Sequence, residues 1–319
     1  MHVTPRRLRA RPLAAALVLT AFAVGLTGCI GAPASTDQVV KIASQTVDGW
    51  QYDQYRNLAY PCSISGYQTF VIGTKVGSSA TATRPLWVKM RGGGHGWFDT
   101  TGKPQPTAGN KSEESFATSL GFDTGGLMAK AKADPAGFRV LIVSMCSHDV
   151  YAGDNTPDPN NPNRTPDGKL RPTTGLVATK AAIQYTLEHY PTDDYFLHGT
   201  SAGGAGAFNV AWGMQMQRQA PDGIVADSGV LNQAWEVASV QQGLCPSGET
   251  LDDGQIFLRR IAPEIADVPN QPHLLIERGD LTVPVAHVWN RADKNSCYDT
   301  SMACPLPDGS TATMGAAEC

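Results

Sequence analysis

Two periods alternate along the chain. Short apolar runs rich in β-branched and aromatic residues, bounded by Gly, Pro, Asn or Asp, read as strands over Tyr67 to Val76, Pro85 to Met90, Arg139 to Met145, Tyr195 to His198, Gly223 to Ala226 and His273 to Ile276. Helical patterns lie between them. The clearest is Gly175 to His189, where Val177, Ala181, Tyr185 and His189 recur every four residues. Such alternation predicts an α/β domain, a mostly parallel sheet flanked by helices. Asp154 to Pro172 (DNTPDPNNPNRTPDGKLRP) breaks the rhythm, being too dense in Pro, Asn and Asp for helix or strand. A surface loop is expected there. A substrate-shaping insertion and a calcium loop of carboxylate and amide oxygens are the alternatives, the prolines and the missing EF-hand glycine weighing against calcium. No internal repeat is visible.

The amino terminus changes the picture. Arg6, Arg7, Arg9 and Arg11 precede an apolar stretch from Leu13 to Leu26 that ends in Leu26-Thr27-Gly28-Cys29. This resembles a bacterial lipoprotein lipobox, which implies lipidation at Cys29 and an extracytoplasmic, membrane-anchored product, with plain secretion as second choice. The twin arginines at 6 and 7 are a weak match to a folded-state export signal. The apolar run is shorter than the roughly 18 residues a membrane span requires. The expected organisation is a signal peptide at 1–28, a small and polar tether at 29–45, and one domain at 46–319.

Composition narrows the function classes. Of 319 residues, 41% are hydrophobic and 17% charged, which excludes disorder as the dominant state, and the 33 Gly and 22 Pro follow no collagen-like period. The net charge is −4; without the four leader arginines it is about −8, with no basic cluster to hold nucleic acid. An acidic polysaccharide would need specific local contacts. Besides Cys29 there are six cysteines: Cys62, Cys146, Cys245, Cys297, Cys304 and Cys319. Outside the cytoplasm they allow up to three disulfides, with Cys297 to Cys304 or Cys319 expected as a local staple, and no CxxC pair suggests zinc. Tryptophans such as Trp97 and Trp235 suit sugar stacking, although core packing is the commoner use.

The sharpest chemical feature is Gly199-Thr200-Ser201-Ala202-Gly203-Gly204-Ala205-Gly206, directly after Tyr195-Phe196-Leu197-His198 and before an apolar helical run. Strand, Gly-x-Ser-x-Gly turn and helix together are the context of a nucleophile elbow, with Ser201 as nucleophile. A glycine-rich structural or phosphate-binding turn is the alternative. A second cluster, Arg91-Gly92-Gly93-Gly94-His95-Gly96, follows the strand Pro85 to Met90. Its backbone, at Gly94 and His95, and the N–H of Ala202 are the expected oxyanion donors. The run ending Arg278-Gly279-Asp280 reads as a strand with a carboxylate at its end, which makes Asp280 the expected partner of a catalytic histidine; Asp227 is the alternative. In the order serine, acid, histidine, His287 takes the base position. A histidine beyond residue 319, or His95 or His148 arriving from another direction, are the other readings.

Together these motifs resemble the pectin acetylesterase and Notum family of α/β-hydrolase-like carboxylesterases. Val88-Lys-Met-Arg-Gly-Gly-Gly94 is similar to the family's strand into Glu-Gly-Gly-Gly-Trp, and Gly199-Thr-Ser-Ala-Gly-Gly204 to its Gly-Cys-Ser-Ala-Gly-Gly. Arg139 to Asp149, followed by Gly153-Asp154, resembles its Tyr-Cys-x-Gly and Gly-Asp segment, and Ala226-Asp-Ser-Gly229 its Ser-Asp-Ala-Gly. Arg91 stands where the family has an acidic residue, and His95 where it has Trp. The resemblance implies an α/β-hydrolase-like fold, lacking its final strand here, and removal of O-acetyl groups from a polysaccharide. No cofactor or metal is implied. Lipase-like or polyester depolymerase activity, and an inactive surface lipoprotein binding glycan or acyl ligands, are the rivals.

Overall fold

The computed structural model describes residues 29–79, 81–105, 111–121, 125–229, 253–288, 303–305 and 311–313. The chain enters as a hairpin, β1 (Val39–Val47) and β2 (Trp50–Pro61), turned at Asp48 (φ 49°) and Gly49 (φ 76°). Positive φ at both central residues is the type I′ turn whose twist matches two antiparallel strands. β3 (Tyr67–Lys75) continues the meander. Then come β4 (Leu86–Met90), a small ladder of β5 (Trp97–Phe98) with β6 (Pro104–Gln105), helices α1 (Phe116–Leu120) and α2 (Gly126–Ala133), and β7 (Arg139–Val143). A second small ladder, β8 (Thr156–Pro157) with β9 (Pro172–Thr173), leads to α3 (Gly175–His189) and β10 (Tyr195–Thr200). α4 (Ala202–Met216), β11 (Gly223–Asp227), α5 (Asp253–Ile261), α6 (Pro263–Ala266), α7 (Pro272–Arg278) and β12 (Val285–Val288) follow.

These strands build one eight-stranded sheet, β1-β2-β3-β7-β4-β10-β11-β12. β7, β4, β10, β11 and β12 are mutually parallel, and the first three strands join them antiparallel. The alternation of each strand sends Val88, Met90, Leu141, Leu197, Ile224 and Ala226 to a face covered by α3 and α4, where the largest core forms. Val71, Val140 and Ile142 point to the opposite face, against Met128 of α2 and Phe116 of α1. β4 lies between β7 and β10, so the order reverses there, and the carboxyl ends of the parallel strands on either side are where an open α/β sheet places a ligand.

Three expectations are corrected. The stretch His273 to Ile276 is helix, not strand: Pro272 starts α7 at a position that suits proline, and Gly279, left-handed at φ 75°, ends it. Its apolar residues are a short helical face against the main core, through Leu275, rather than a strand. The tether is also corrected, because β1 begins at Val39, inside the 29–45 stretch, and Ile30 is a core residue. The Asp154 to Pro172 segment does carry β structure, the β8–β9 ladder. It is pinned inward by Arg171 Nη1 to the carbonyls of Cys62 (2.8 Å) and Gly66 (3.1 Å), and by Asn161 Nδ2 to that of Ser63 (2.7 Å). Cys62 and Cys146 form a disulfide across 84 positions. Trp235, Cys245, Cys297 and Cys319 lie outside the described residues. In the tail, β13 (Ala303–Pro305) pairs only with β14 (Thr311–Thr313), separate from the main sheet. Among the described residues that sheet ends at β12.

Candidate active site

β10 delivers the serine. At its end the backbone turns so sharply into α4 that Ser201 adopts φ 54°, ψ −122°, a conformation a non-glycine residue holds only when its surroundings enforce it. Three contacts do so. The Ser201 N–H donates to the Asp227 carbonyl at the end of β11 (2.9 Å), and the Ser201 carbonyl accepts from Gly204 (2.8 Å) and Ala205 (3.1 Å). The flanking glycines explain the rest. A Cβ on Gly199 would lie 2.5 Å from the Gly204 nitrogen and nearer still to Gly203; one on Gly203 would lie 2.6 Å from the Arg91 carbonyl oxygen. No side chain fits at either position, so strand and helix meet as closely as a nucleophile elbow requires. The Ser201 side chain stands exposed and makes no capping hydrogen bond. This is an α/β-hydrolase-like fold.

The first turn of α4 also offers donors. Gly204 and Ala205 bond back to Ser201, while the N–H groups of Ala202 and Gly203 meet no carbonyl among the described residues. Opposite them runs the glycine loop after β4. The structure brings Gly92, rather than Gly94 or His95, against the serine: a Cβ on Gly92 would lie 2.7 Å from the Thr200 carbonyl oxygen and 3.1 Å from Ser201 Cβ. Gly94 is exposed with nothing near its Cβ position. The His95 ring turns to Trp97 and Phe257, at 5.4 and 5.8 Å between centroids. The backbone N–H groups of Gly92, Gly93, Gly94 and His95 are likewise not engaged by any described residue. The glycine loop after β4 thus borders Ser201, with its closest approach at Gly92, two residues before Gly94.

A buttress that sequence reading passed over holds this loop from behind. Arg91 forms a buried ion pair with Glu114, and the Tyr151 hydroxyl donates to the Arg91 carbonyl (3.0 Å). The turn after β7 is contorted, with left-handed φ at His148 (55°), Val150 (54°) and Tyr151 (56°). Asp149 enforces it, accepting from the N–H groups of Gly175 (2.8 Å), Tyr151 (3.1 Å) and Gly153 (3.1 Å). Complete burial nevertheless raises its pKa to about 6, the backbone hydrogen bonds opposing that rise. His148 is fully buried beneath Gly93, and neither ring nitrogen has a hydrogen-bond partner among the described residues. Burial, reinforced by the charges of Lys111 and Arg91, lowers its pKa to about 4; the Gly94 carbonyl lies near enough to favour the charged ring but outside bonding geometry. The ring is neutral at pH 7.

The remaining candidates divide sharply. Asp280 is corrected. It follows α7, lies on the surface and pairs with Arg278 (2.9 Å, the carboxylate side chain 54% exposed). Gln215 donates to its carbonyl (2.7 Å), and Gln215 is thirteen positions along α4 from Ala202, about 20 Å at 1.5 Å per residue. That is the wrong end of the helix. The reason is the misread strand: the chain turns into β12 only after Asp280, so the residue sits below the strand's start. Asp227 ends β11 beside Thr200, its carbonyl anchoring Ser201 and its carboxylate accepting from Ser228 Oγ (3.1 Å).

His287 lies on β12 in register with Ala226, and so points to the same face as Gly199 and α4, near the carboxyl ends of the strands. Its ring meets Phe208 edge-on at 6.3 Å and lies beside the backbone of Gly229, itself packed against Gly204. Burial lowers its pKa, and the nearby Gly229 backbone raises it by less. No hydrogen bond joins it to Ser201. His273, also downstream of the serine, is exposed on α7. His198 is held on the opposite face between Trp87 Nε1 (3.2 Å) and Lys89 Nζ (3.4 Å). Among the described residues no group of three or more His, Cys, Asp or Glu is placed to hold a metal.

No protein-family profile matches the chain, and no curated protein sequence matches it. Solved structures of similar fold include Notum, the Wnt deacylase of Drosophila, at 15% identity and a TM-score of 0.46, covering 80% of this chain and 73% of that one. Another is an S-formylglutathione hydrolase from Agrobacterium tumefaciens, at 11% identity and a TM-score of 0.45, covering 77% of this chain and 78% of that one.

Proposed function

We propose that this protein is a serine carboxylesterase acting outside the cytoplasm. The observation that carries the reading is the backbone of Ser201, held at φ 54° between two glycines that tolerate no side chain, with its side chain exposed and open N–H groups on two sides. A glycine-rich structural turn has no use for a strained serine; a nucleophile does. The Ser201 Oγ attacks the ester carbonyl carbon, and its proton passes to a histidine. The carbonyl oxygen, becoming an oxyanion, takes hydrogen bonds from the N–H of Ala202 and from the loop at Gly92 to His95. Collapse breaks the bond to the alcohol, which leaves with the histidine's proton. Water then attacks the acyl-enzyme by the same route, releasing the acid and restoring Ser201.

For the histidine we assign His287. It is the imidazole that β12 sets on the Gly199 and α4 face of the sheet, near the carboxyl ends of the parallel strands. Asp280 takes no part, because it lies on the surface at the far end of α4. The acyl group is assigned as acetyl and the substrate as an O-acetylated polysaccharide on the motif resemblance alone. Lipidation at Cys29, and hence membrane attachment, is supported by the Leu-Thr-Gly-Cys sequence at 26–29. The test is labelling of the full chain with a fluorophosphonate, located by peptide mass spectrometry. Labelling at Ser201, lost in Ser201→Ala and slowed in His287→Ala, is expected. A folded chain that takes no label is a binding protein rather than an esterase. Relative rates on acetyl and long-chain p-nitrophenyl esters then separate deacetylase from lipase.

A further inference from the structure

The residues after Cys29 are clamped to the domain. Lys180, fully buried in α3, donates its ammonium to the carbonyls of Ile30 (2.6 Å) and Ala32 (2.7 Å). Gln217, just past α4, donates to the carbonyls of Ala32 and Gly31. The Ile30 N–H faces Glu264 Oε2 of α6 (3.4 Å), and the Ile30 side chain, 2% exposed, belongs to the main core. α4 is shaped for this contact, since a Cβ on Gly213 would press on the Ile30 carbonyl oxygen at 3.1 Å. Farther on, the Ser35 N–H donates to the Tyr60 hydroxyl (2.7 Å), its carbonyl accepts from Asn57 Nδ2 (2.9 Å), and β1 begins four residues later. A flexible spacer makes none of these contacts, and burying an ammonium on two carbonyls is a cost no solvated linker incurs.

We infer that the folded domain sits directly on a lipid bilayer surface, because a diacylglycerol on Cys29 emerges one residue from a buried core side chain with no spacer between lipid and fold. This rests on the reading of Cys29 as the lipidated residue. Reach is the consequence. Sixteen extended residues, 30 to 45, would let an esterase range about 50 Å from its anchor. The clamp removes that freedom. The anchor contacts α4 at Gly213, eleven positions from Ala202, so Ser201 is fixed on the order of 17 Å along the helix from the anchored end. The substrate is then an ester presented within about one domain width of the membrane, not one in bulk solution.

Two measurements on the lipidated protein in phosphatidylethanolamine–phosphatidylglycerol bilayers test this. In hydrogen exchange, peptides covering residues 30 to 37 are expected to be protected at least a hundredfold over unstructured chain; exchange at unstructured rates beside a protected core overturns the inference. In neutron reflectometry, ten Gly/Ser residues inserted between Cys29 and Ile30 are expected to lift or broaden the protein layer by about 10 Å or more. An unchanged profile means that slack was already present and also overturns it. Mass spectrometry of the amino-terminal peptide separates the two readings. Without diacylglyceryl on Cys29 the membrane inference fails with the lipid assignment, whereas the exchange result still judges the clamp and fluorophosphonate labelling still judges the esterase.

Discussion

Gly199→Ala is the most demanding test of the elbow. The added methyl would lie 2.5 Å from the Gly204 nitrogen and closer to Gly203, both backbone, where real Cβ contacts essentially never fall below 3.0 Å. No flexible side chain yields, so the strand end and the first turn of α4 must part by well over 1 Å to reach ordinary contact. Overpacking of this kind costs about 1–3 kcal/mol, and a backbone-on-backbone clash belongs at the upper end. At 2–4 °C per kcal/mol for a domain of this size, the melting temperature falls by about 6–12 °C. Activity suffers more than stability: a displacement of about 1 Å between nucleophile and oxyanion donors costs on the order of a hundredfold in rate. The assay is kcat/KM on p-nitrophenyl acetate at a temperature where calorimetry shows the variant folded. Gly94→Ala is the contrast, since no atom lies within 4 Å of its Cβ and only the φ of 75° is strained. A Gly199→Ala protein that melts within 2 °C of the parent and turns over normally refutes the close-packed elbow.

Four further outcomes are expected. Ser201→Gly relieves the backbone strain at φ 54°; set against the extra chain entropy of glycine this leaves a net gain of about 1 kcal/mol, so calorimetry should show a more stable protein with no turnover. Asp280→Asn should leave kcat/KM within about twofold, because the residue is a surface group at the far end of α4; a loss of a hundredfold would restore it to the site. His287→Gln should lower kcat/KM by about 10²–10⁴ and abolish the acid limb of the parent's pH–rate profile. Burial lowers the His287 pKa, so that limb should lie below 6.5, activity falling as the ring protonates and staying level above it. His148, with a folded pKa of about 4 against roughly 6.5 unfolded, contributes stability that is present above pH 6.5 and lost as pH falls toward 4. That amounts to about 3 kcal/mol, and urea melts of His148→Gln should show an acid decline shallower by about this much.

What could be read from the sequence follows from the range of the interactions. Tyr67, Leu86, Arg139, Tyr195 and Gly223 each start a strand within a residue of the apolar run that predicts it, because burial on both faces writes a continuous signal. α3 matches its four-residue repeat end to end. The edge strands were harder. β1 is largely solvent-exposed and carries only a faint pattern, although Asp48-Gly49 between two runs is itself a hairpin signal. β12 has only four residues, none of them fully buried. The apolar triplet Leu274-Leu275-Ile276 reads as a strand by composition alone, whereas Pro272 before it and Gly279 after it mark a helix.

The same distinction separates the parts of the site. Ser201 and its glycines were legible because strand, turn and helix are contiguous: the requirement that no Cβ stand at 199 or 203 is imposed by residues within five positions and by the loop against them. Asp280 failed for the opposite reason. Its role depended on which end of a strand it occupied, and with the strand moved from 273–276 to 285–288 the residue moved from the carboxyl end of the sheet to the other side. The histidine depends on register. One residue of slip in β12 would turn His287 to the face of Lys89 and His198, away from α4, because strand side chains alternate. The pairing of Ala226 with His287, a contact between residues 61 positions apart, is what puts an imidazole on the Gly199 and α4 face of the sheet. On the proposed assignment of His287 as the base, that choice belongs to the fold, and disrupting β12 pairing should silence Ser201 as surely as removing the ring.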